Sequence, residues 1–177
     1  EGSRLHISGD PAFLLDAQSA AAFPPAQRGP ARERIVGVNW GMAFNNIYGA
    51  DELKVEDELA SALGVLLREG YKVHLYLLWN ADREAAERLY RKIRDKGDVI
   101  FDPAVHHQDE LIAILRRFAF TINFKLHANY ISLAAGVPFI ALGYRFKVFD
   151  FAESVGLGDF VVATDDPAAG KRIEALA

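Results

Sequence analysis

From residue 34 onward the chain alternates between short apolar runs and stretches in which apolar residues recur at helical spacing. β-branched and aromatic residues are frequent in the apolar runs, which suits strands buried on both faces of a sheet. The six runs are residues 35–38, 73–78, 99–101, 118–123, 137–142 and 160–162. Such βα repeats with short connections predict an α/β fold: a Rossmann-like, doubly wound parallel sheet of about six strands.

The helical stretches between these runs have recognisable ends. Apolar residues of the first stretch recur from Val55 to Leu66, and Gly70 follows as a stop signal. Asn80 is a candidate N-cap for the second helix, whose inward positions are Ala85, Ala86, Leu89 and Ile93. The charged positions of residues 82–96 are typical of a solvated helix face.

Residues 1–33 differ from the rest of the chain. Three of the seven prolines, Pro24, Pro25 and Pro30, lie within residues 20–34, which predicts an irregular connector. We therefore expect an entry segment over 1–33 and one α/β domain over 34–177. The chain begins without Met or an export signal, so we expect it to be part of a longer, cytoplasmic protein.

Composition excludes several classes of protein. The 177 residues include 20 Lys and Arg against 24 Asp and Glu, so the chain lacks the positive charge of a nucleic-acid-binding domain. No apolar run approaches the ~20 residues of a transmembrane helix. There are no cysteines, which excludes disulfides and thiolate metal ligands, and no histidine spacing indicates a metal site.

Polar side chains cluster where two central strands should end. If the strand order is 3-2-1-4-5-6, the carboxyl ends of strands one and four meet at the switch point, the usual ligand site of such sheets. Asn39 ends the first strand, and Lys125 and His127 follow the fourth. His127 begins a helix, and a histidine there can donate a proton when a bound anion stabilises its charged form. The alternative is that His127 only caps the helix or is partly buried.

The end of strand five adds further candidates. Tyr144, Arg145 and Lys147 follow it directly, so a phosphorylated or carboxylated ligand would meet several cations at this edge. The alternatives are a capping role for Tyr144 and solvent exposure for the cations. The loop 41–51 is long for a βα connection, and it either contacts ligand or only connects two elements. It contains neither G-x-G-x-x-G nor a P-loop.

The remaining histidines give weaker signals. His74 lies in the middle of a predicted strand and is interpreted as a hydrogen-bonded core histidine. His106 and His107 are adjacent, which predicts a pair of loop residues without a metal.

Residues 125–151 resemble the polysaccharide pyruvyl transferases. That family has Arg-Leu-His, a helix, Gly-Val-Pro, a strand and then Tyr-x-x-Lys. Here Lys125 precedes Leu126 and His127, Gly136-Val137-Pro138 follows, and Tyr144 and Lys147 have the matching spacing. Lys125 replaces the arginine of the motif, and Asn39 stands where the family often has another arginine at the end of the first strand.

The resemblance implies the C-terminal lobe of a two-lobed, glycosyltransferase-B-like enzyme, with the N-terminal lobe as its partner. Such enzymes transfer pyruvyl from phosphoenolpyruvate to two hydroxyls of a sugar, forming a ketal on a cell-surface or extracellular polysaccharide. The resemblance implies His127 as the catalytic acid/base and Lys125 and Lys147 beside the donor, with Asn39, Tyr144 and Arg145 as further substrate contacts. It implies no cofactor, and its acceptor is a glycan or a lipid-linked sugar at the membrane.

Two other functions remain open at this point. A lobe of a nucleotide-sugar glycosyltransferase would place a diphosphate at the same helix N-termini. A glycan-related module without catalysis is the other alternative, because both family arginines are replaced.

Overall fold

Six parallel strands form one sheet in the computed structural model, which describes residues 33–177. The strands are β1 (Ile35–Asn39), β2 (Lys72–Leu77), β3 (Val99–Val105), β4 (Phe120–Asn123), β5 (Phe139–Gly143) and β6 (Val161–Ala163). The sheet order is β3-β2-β1-β4-β5-β6, so the predicted doubly wound topology is confirmed. The expected entry segment, apart from residue 33, lies outside the described residues.

Helices connect these strands and cover both faces of the sheet. They are α1 (Glu52–Arg68), α2 (Arg83–Ile93), α3 (Gln108–Leu115), α4 (Leu126–Ala134), α5 (Phe146–Ser154) and α6 (Ala169–Leu176). α1 packs on α6, and α3 packs on α4. Between residues 33 and 177, no helix has both the length and the apolar character that a bilayer span requires.

The central strand β1 is fully apolar except at its last residue because it is buried on both faces. Val36 lies opposite Val73 of β2 on one side and Phe120 of β4 on the other. Asn39, at the carboxyl end, pairs with Asn123 of β4. The strand therefore brings two polar residues together at the edge where ligands bind in this topology.

The helix ends follow the sequence signals in most places. The Asp51 side chain caps α1 by accepting a hydrogen bond from the Lys54 amide at 3.0 Å. Gly70 follows that helix with a φ of 87°, a conformation that favours glycine. The predicted inward residues of α2 are confirmed as fully buried: Ala85, Ala86, Leu89 and Ile93.

Two sequence predictions near β2 and β3 are wrong. Asn80 does not cap a helix; Asn80–Asp82 form a 3₁₀ turn and α2 begins at Arg83. The third strand extends to Val105, four residues beyond its predicted end, and it lies at the edge of the sheet. Its side chains are mostly not buried, so the apolar pattern that would have revealed its length is missing.

Candidate functional site

A cavity of about 430 Å³ opens at the carboxyl edge of the sheet, beside the switch point between β1 and β4. Its volume lies within the range of small-molecule sites. Five of the six predicted site residues line it: Lys125, His127, Tyr144, Arg145 and Lys147. Their proximity follows from the topology, because β4 and β5 are neighbours and the five residues directly follow these two strands.

Two helix N-termini face this cavity without side-chain caps. α4 begins after Lys125 and α5 after Arg145, and neither residue caps its helix with a side-chain hydrogen bond. The first amides of a helix carry a partial positive charge and have no partner within the helix. Leu126, His127 and Lys147 from these first turns line the cavity. This wall therefore suits an anion such as phosphate or carboxylate.

Asn39 lies behind the cavity and does not line it. The structure therefore does not place its side chain where the predicted substrate contact would need it. The side chain is fully buried, and its Oδ1 accepts a hydrogen bond from the Lys125 amide at 3.1 Å. Its Nδ2 donates to the Tyr76 carbonyl at 3.4 Å. Asn39 thus joins the ends of three strands and fixes the backbone at Lys125. A buried side-chain amide needs hydrogen-bond partners, and the sequence could not identify those of Asn39.

Lys125 is in the cavity wall, but a carboxylate already neutralises much of its charge. Its Nζ lies 3.1 Å from Oδ1 of Asp82 and donates to the Met42 carbonyl at 2.5 Å. Asp82 Oδ1 also accepts from the Met42 amide at 3.0 Å. A Cβ at residue 41 would overlap the Asp82 carboxylate, so Gly41 is what lets the carboxylate reach this place.

The charged positions of residues 82–96 predicted a solvated helix face. Asp82, the first of these residues, is buried, so the prediction is wrong at this position. Asp82 is 1% exposed, and its carboxylate turns inward to the loop after β1. The charged spacing of the helix gave no sign of this because the partners, Met42 and Lys125, are distant in sequence. Its second oxygen, Oδ2, is buried without a hydrogen-bond partner in the described part of the chain.

The loop 41–51 forms part of the cavity wall and is held from beneath by one buried carboxylate. Glu52, the first residue of α1, accepts hydrogen bonds from the amides of Ala43 at 2.6 Å and Asn45 at 3.0 Å. Its own amide donates to Asn45 Oδ1 at 3.0 Å. Phe44 and Asn45 have φ values of 54° and 55°, an uncommon conformation for residues other than glycine. The loop's long length therefore has a structural purpose, since Ala43, Phe44 and Asn46 line the cavity.

Aromatic rings support the other side of the cavity. Phe124 lies between Trp40 and Tyr144, with both pairs of ring centroids 4.7 Å apart. Over Tyr144 lie Arg145 and Lys147, whose charged groups are 5.8 Å and 5.5 Å from its ring centroid. Arg145 Nε also donates to the Asn46 carbonyl at 2.8 Å. The buried stack thus sets the position of the surface that carries these two cations.

A buried hydrogen-bond network fixes α4, the helix that carries His127. Tyr76 Oη donates to Asn123 Oδ1 at 2.8 Å, and Asn123 Nδ2 donates to the hydroxyls of Thr121 and Ser132 at 3.0 Å. The Ser132 hydroxyl donates to the Ala128 carbonyl at 2.8 Å. His127 itself is exposed at the cavity, with its ring 6.2 Å from that of Tyr130.

The other predicted histidines lie away from the cavity, and the interpretation of His74 needs correction. His74 is only partly satisfied: its Nε2 is buried without a hydrogen-bond partner among the described residues and lies 3.7 Å from Asp102 Oδ2. His106 and His107 lie in the loop between β3 and α3, as predicted, and His106 Nε2 lies 2.6 Å from the same Asp102 oxygen. The sequence did not reveal this contact because residue 102 was not assigned to β3. Within residues 33–177 no group of side chains is suited to hold a metal ion.

These contacts predict that His106 stabilises the fold in a pH-dependent way. The hydrogen bond to Asp102 raises the pKa of His106 above 6.5, although partial burial opposes the shift. Its stabilising contribution is therefore complete below pH 6.5 and is lost as the pH rises through the folded-state pKa. His106→Asn should lower the free energy of unfolding more at about pH 6 than at about pH 9. Urea unfolding at both pH values measures the difference.

His106 and His74 affect the pH dependence of stability in opposite directions. Burial lowers the pKa of His74, and the nearby charge of His106 lowers it further, so His74 opposes the stabilising contact between His106 and Asp102 as the pH falls. His107→Asn is the control, because His107 is exposed and lies 3.7 Å from Asp109. An equal effect of His106→Asn at the two pH values would contradict the predicted ion pair.

Fold and cavity together define a doubly wound α/β domain with a cavity at its switch point that several cationic side chains line. The chain belongs to the polysaccharide pyruvyl transferase family, because the sequence model of that family, described as Polysaccharide pyruvyl transferase, matches residues 1–145. The match extends from the first residue through the cavity residues up to Arg145, and Lys147 lies just beyond it.

A solved structure shares the fold. A mutant of the Thermobaculum terrenum O-GlcNAc transferase, a GT-B glycosyltransferase, superposes with a TM-score of 0.50 at 14% sequence identity. The superposition covers 86% of this chain and 30% of that chain, so the present chain spans less than a third of its neighbour. At this identity the likeness concerns the fold alone. No curated protein matches the sequence.

Proposed function

We propose that this chain provides the donor site of a pyruvyl transferase that modifies a polysaccharide, with phosphoenolpyruvate as the donor. Membership of the family supports a transferase acting on a polysaccharide. The observation that carries the choice of donor is the anion-binding wall, in which two uncapped helix N-termini, Arg145 and Lys147 surround a site next to His127. Phosphoenolpyruvate has a phosphate and a carboxylate, and this wall offers complementary groups for both.

The proposed reaction needs a proton donor beside the anion site. Protonation of C3 of phosphoenolpyruvate converts its methylene to a methyl group and makes C2 electrophilic. One sugar hydroxyl then bonds to C2, the C2–O bond to phosphate breaks, and a second hydroxyl completes the ketal. The two hydroxyl protons balance the proton taken up by C3 and the one that leaves with phosphate. The products are the pyruvylated sugar and inorganic phosphate.

His127 is the residue that we assign to the proton transfer. It is exposed at the cavity, at the second residue of α4, where its ring can reach a ligand held by the helix N-terminus. Its position within Lys125-Leu126-His127 is the one at which the family has its histidine. A phosphorylated donor at this place would favour the charged imidazole, which is the form that can give up a proton.

Arg145 and Lys147 are the cations that we assign to the donor. Lys125 is not assigned to the donor, because Asp82 and the Met42 carbonyl already hold its ammonium group. Arg145 keeps its terminal guanidinium nitrogens for a ligand because its hydrogen bond to Asn46 uses only Nε. A guanidinium can bind a carboxylate or phosphate through two parallel hydrogen bonds, which a lysine cannot do. The arginine expected at residue 125 thus has a counterpart at residue 145.

The acceptor and the second lobe belong to the same proposal. The acceptor is a sugar of a glycan or of a lipid-linked precursor, and a second lobe closes over the carboxyl edge of this sheet. The likeness to one part of a much longer glycosyltransferase chain supports a two-lobed arrangement.

The proposal predicts that phosphoenolpyruvate binds to this chain and that Lys147→Ala weakens the binding. A charge-assisted contact contributes enough that its loss should raise Kd about tenfold. Isothermal titration calorimetry measures both values. Lys171→Ala is the matched control, because Lys171 is an exposed lysine of α6 that does not line the cavity.

Two results would contradict the donor assignment. One is the absence of phosphoenolpyruvate binding to the wild-type chain. The other is binding of uridine diphosphate in its place, which would favour the nucleotide-sugar glycosyltransferase alternative. If phosphoenolpyruvate binds but no transfer occurs with the second lobe present, the glycan-related module without catalysis becomes the better interpretation.

A further inference from the structure

The residues that line the cavity fall into two chemically different halves according to the strands that they follow. The half that follows β4 and β5 contains the anion-binding wall already described. The half that follows β1 and β2 is mostly apolar and contains Met42, Ala43, Phe44, Leu78 and Trp79, together with the polar Asn46. A phosphorylated three-carbon donor is too small and too highly charged to complement such an apolar surface. A second ligand group with an apolar face would complement it.

Phe44 is placed in this half at a cost in backbone energy. Its side chain is 82% exposed, so it contributes little to the core, and its φ of 54° is unusual for an aromatic residue. The hydrogen bonds from the amides of Ala43 and Asn45 to the buried Glu52 carboxylate hold the residues on both sides of it. Strain that persists under such constraint is characteristic of ligand-binding segments.

Trp79 is the second exposed ring of this half. It follows β2 and is 58% exposed, and the Lys125 ammonium lies 5.5 Å from its ring centroid. That contact orients the indole at the cavity because Lys125 is itself fixed by Asp82. Two exposed aromatic side chains thus line a single cavity, one on a backbone segment held by Glu52 and the other beside the Lys125 ammonium.

We infer that Phe44 and Trp79 form the acceptor subsite, on which a pyranose ring stacks through its apolar C–H face. This inference rests on the proposed function, because it takes the acceptor to be a sugar. A pyranose presents C–H groups on its faces and hydroxyls at its edge. Stacking on the apolar half therefore turns the hydroxyls toward the donor half, where two of them must reach C2 of the donor. The chemical class of the ligand is a neutral hexopyranoside.

The chain carries its own reporter for this subsite. It has two tryptophans, of which Trp40 is fully buried and Trp79 is exposed at the cavity. A sugar stacked on the apolar half should change the emission of Trp79 and leave that of Trp40 unchanged. The probes are methyl β-D-galactopyranoside, methyl β-D-glucopyranoside and methyl α-D-mannopyranoside at millimolar concentrations, with uridine diphosphate as the competing ligand class.

We expect at least one glycoside to change the emission in a saturable way. Trp79→Ala should abolish the change while the Trp40 emission remains, and Phe44→Ala should raise Kd by about fivefold to tenfold. Phe160→Ala is the matched control, because Phe160 is 40% exposed and does not line the cavity.

Three outcomes would overturn the sugar subsite: no response to any of the glycosides, an unchanged Kd in Phe44→Ala, or a response to uridine diphosphate alone. Calorimetry with phosphoenolpyruvate on the same protein tests the donor separately. Glycoside binding without phosphoenolpyruvate binding would contradict the proposed donor and support the subsite. Phosphoenolpyruvate binding without a glycoside response would contradict the subsite alone.

Discussion

Replacing His127 by alanine is expected to lower the rate of pyruvyl transfer by about 10²–10⁴-fold, the usual contribution of a positioned general acid. The imidazole is exposed at the cavity and lies outside the buried core, so the free energy of unfolding should change by less than about 0.5 kcal/mol. Transfer is measured with phosphoenolpyruvate and a glycan acceptor in the presence of the second lobe. Urea unfolding gives the stability of the same variant.

His107→Ala is the matched control for this experiment, because it removes another exposed histidine at a place outside the cavity. It should leave the rate unchanged. The assignment of His127 would be lost if His127→Ala kept full activity. A loss of rate would also contradict it if the free energy of unfolding fell by as much as the activation free energy rose, since that result would indicate a structural role.

Replacing Phe124 by alanine is expected to lower the free energy of unfolding by about 3–5 kcal/mol, which is typical of removing a fully buried aromatic ring. Phe124 is 0% exposed and contacts the rings of Trp40 and Tyr144, both with centroids 4.7 Å away. The deletion leaves a void between two rings that the rigid strand ends keep apart. Urea unfolding followed by circular dichroism measures the change.

The control for the aromatic stack is Phe146→Ala, which removes a phenylalanine that is 67% exposed. It should change the free energy of unfolding by less than about 0.5 kcal/mol. A loss below about 1 kcal/mol in Phe124→Ala would mean that the surrounding side chains collapse into the void, and the stack would then not be a rigid support for Tyr144.

The fold was predictable from the sequence because its main signals are local. Strands buried on both faces, such as Ile35–Asn39, appear as continuous apolar runs, and Gly70 marks the end of α1. Strand β3 was only partly predictable, since an exposed edge strand lacks that pattern. The start of α2 was misplaced for a different reason, because the side chain of Asp82 bonds to a distant loop instead of continuing the helix face.

The candidate site was also predictable from the sequence only in part. Lys125, His127, Tyr144, Arg145 and Lys147 follow directly from strand ends, and the order of the strands brings them into one cavity. Asp82, Glu52 and the buried place of Asn39 did not follow from the sequence. Each of them bonds to at least one loop amide, and the conformation of a loop is not encoded in periodicity. Asp102, which contacts His106, was missed for the same reason as the end of β3.

The internal counterion Asp82 has a consequence for the speed of a catalytic cycle. An enzyme that captures a multiply charged donor with every nearby cation unpaired would also retain the inorganic phosphate that the reaction leaves behind. Here one ammonium group of the wall, that of Lys125, is permanently matched by a carboxylate of the same chain. In the proposed reaction the departing phosphate would therefore meet a weaker field than the number of lysines and arginines suggests. Under the proposed function, this arrangement trades some donor affinity for faster release of product.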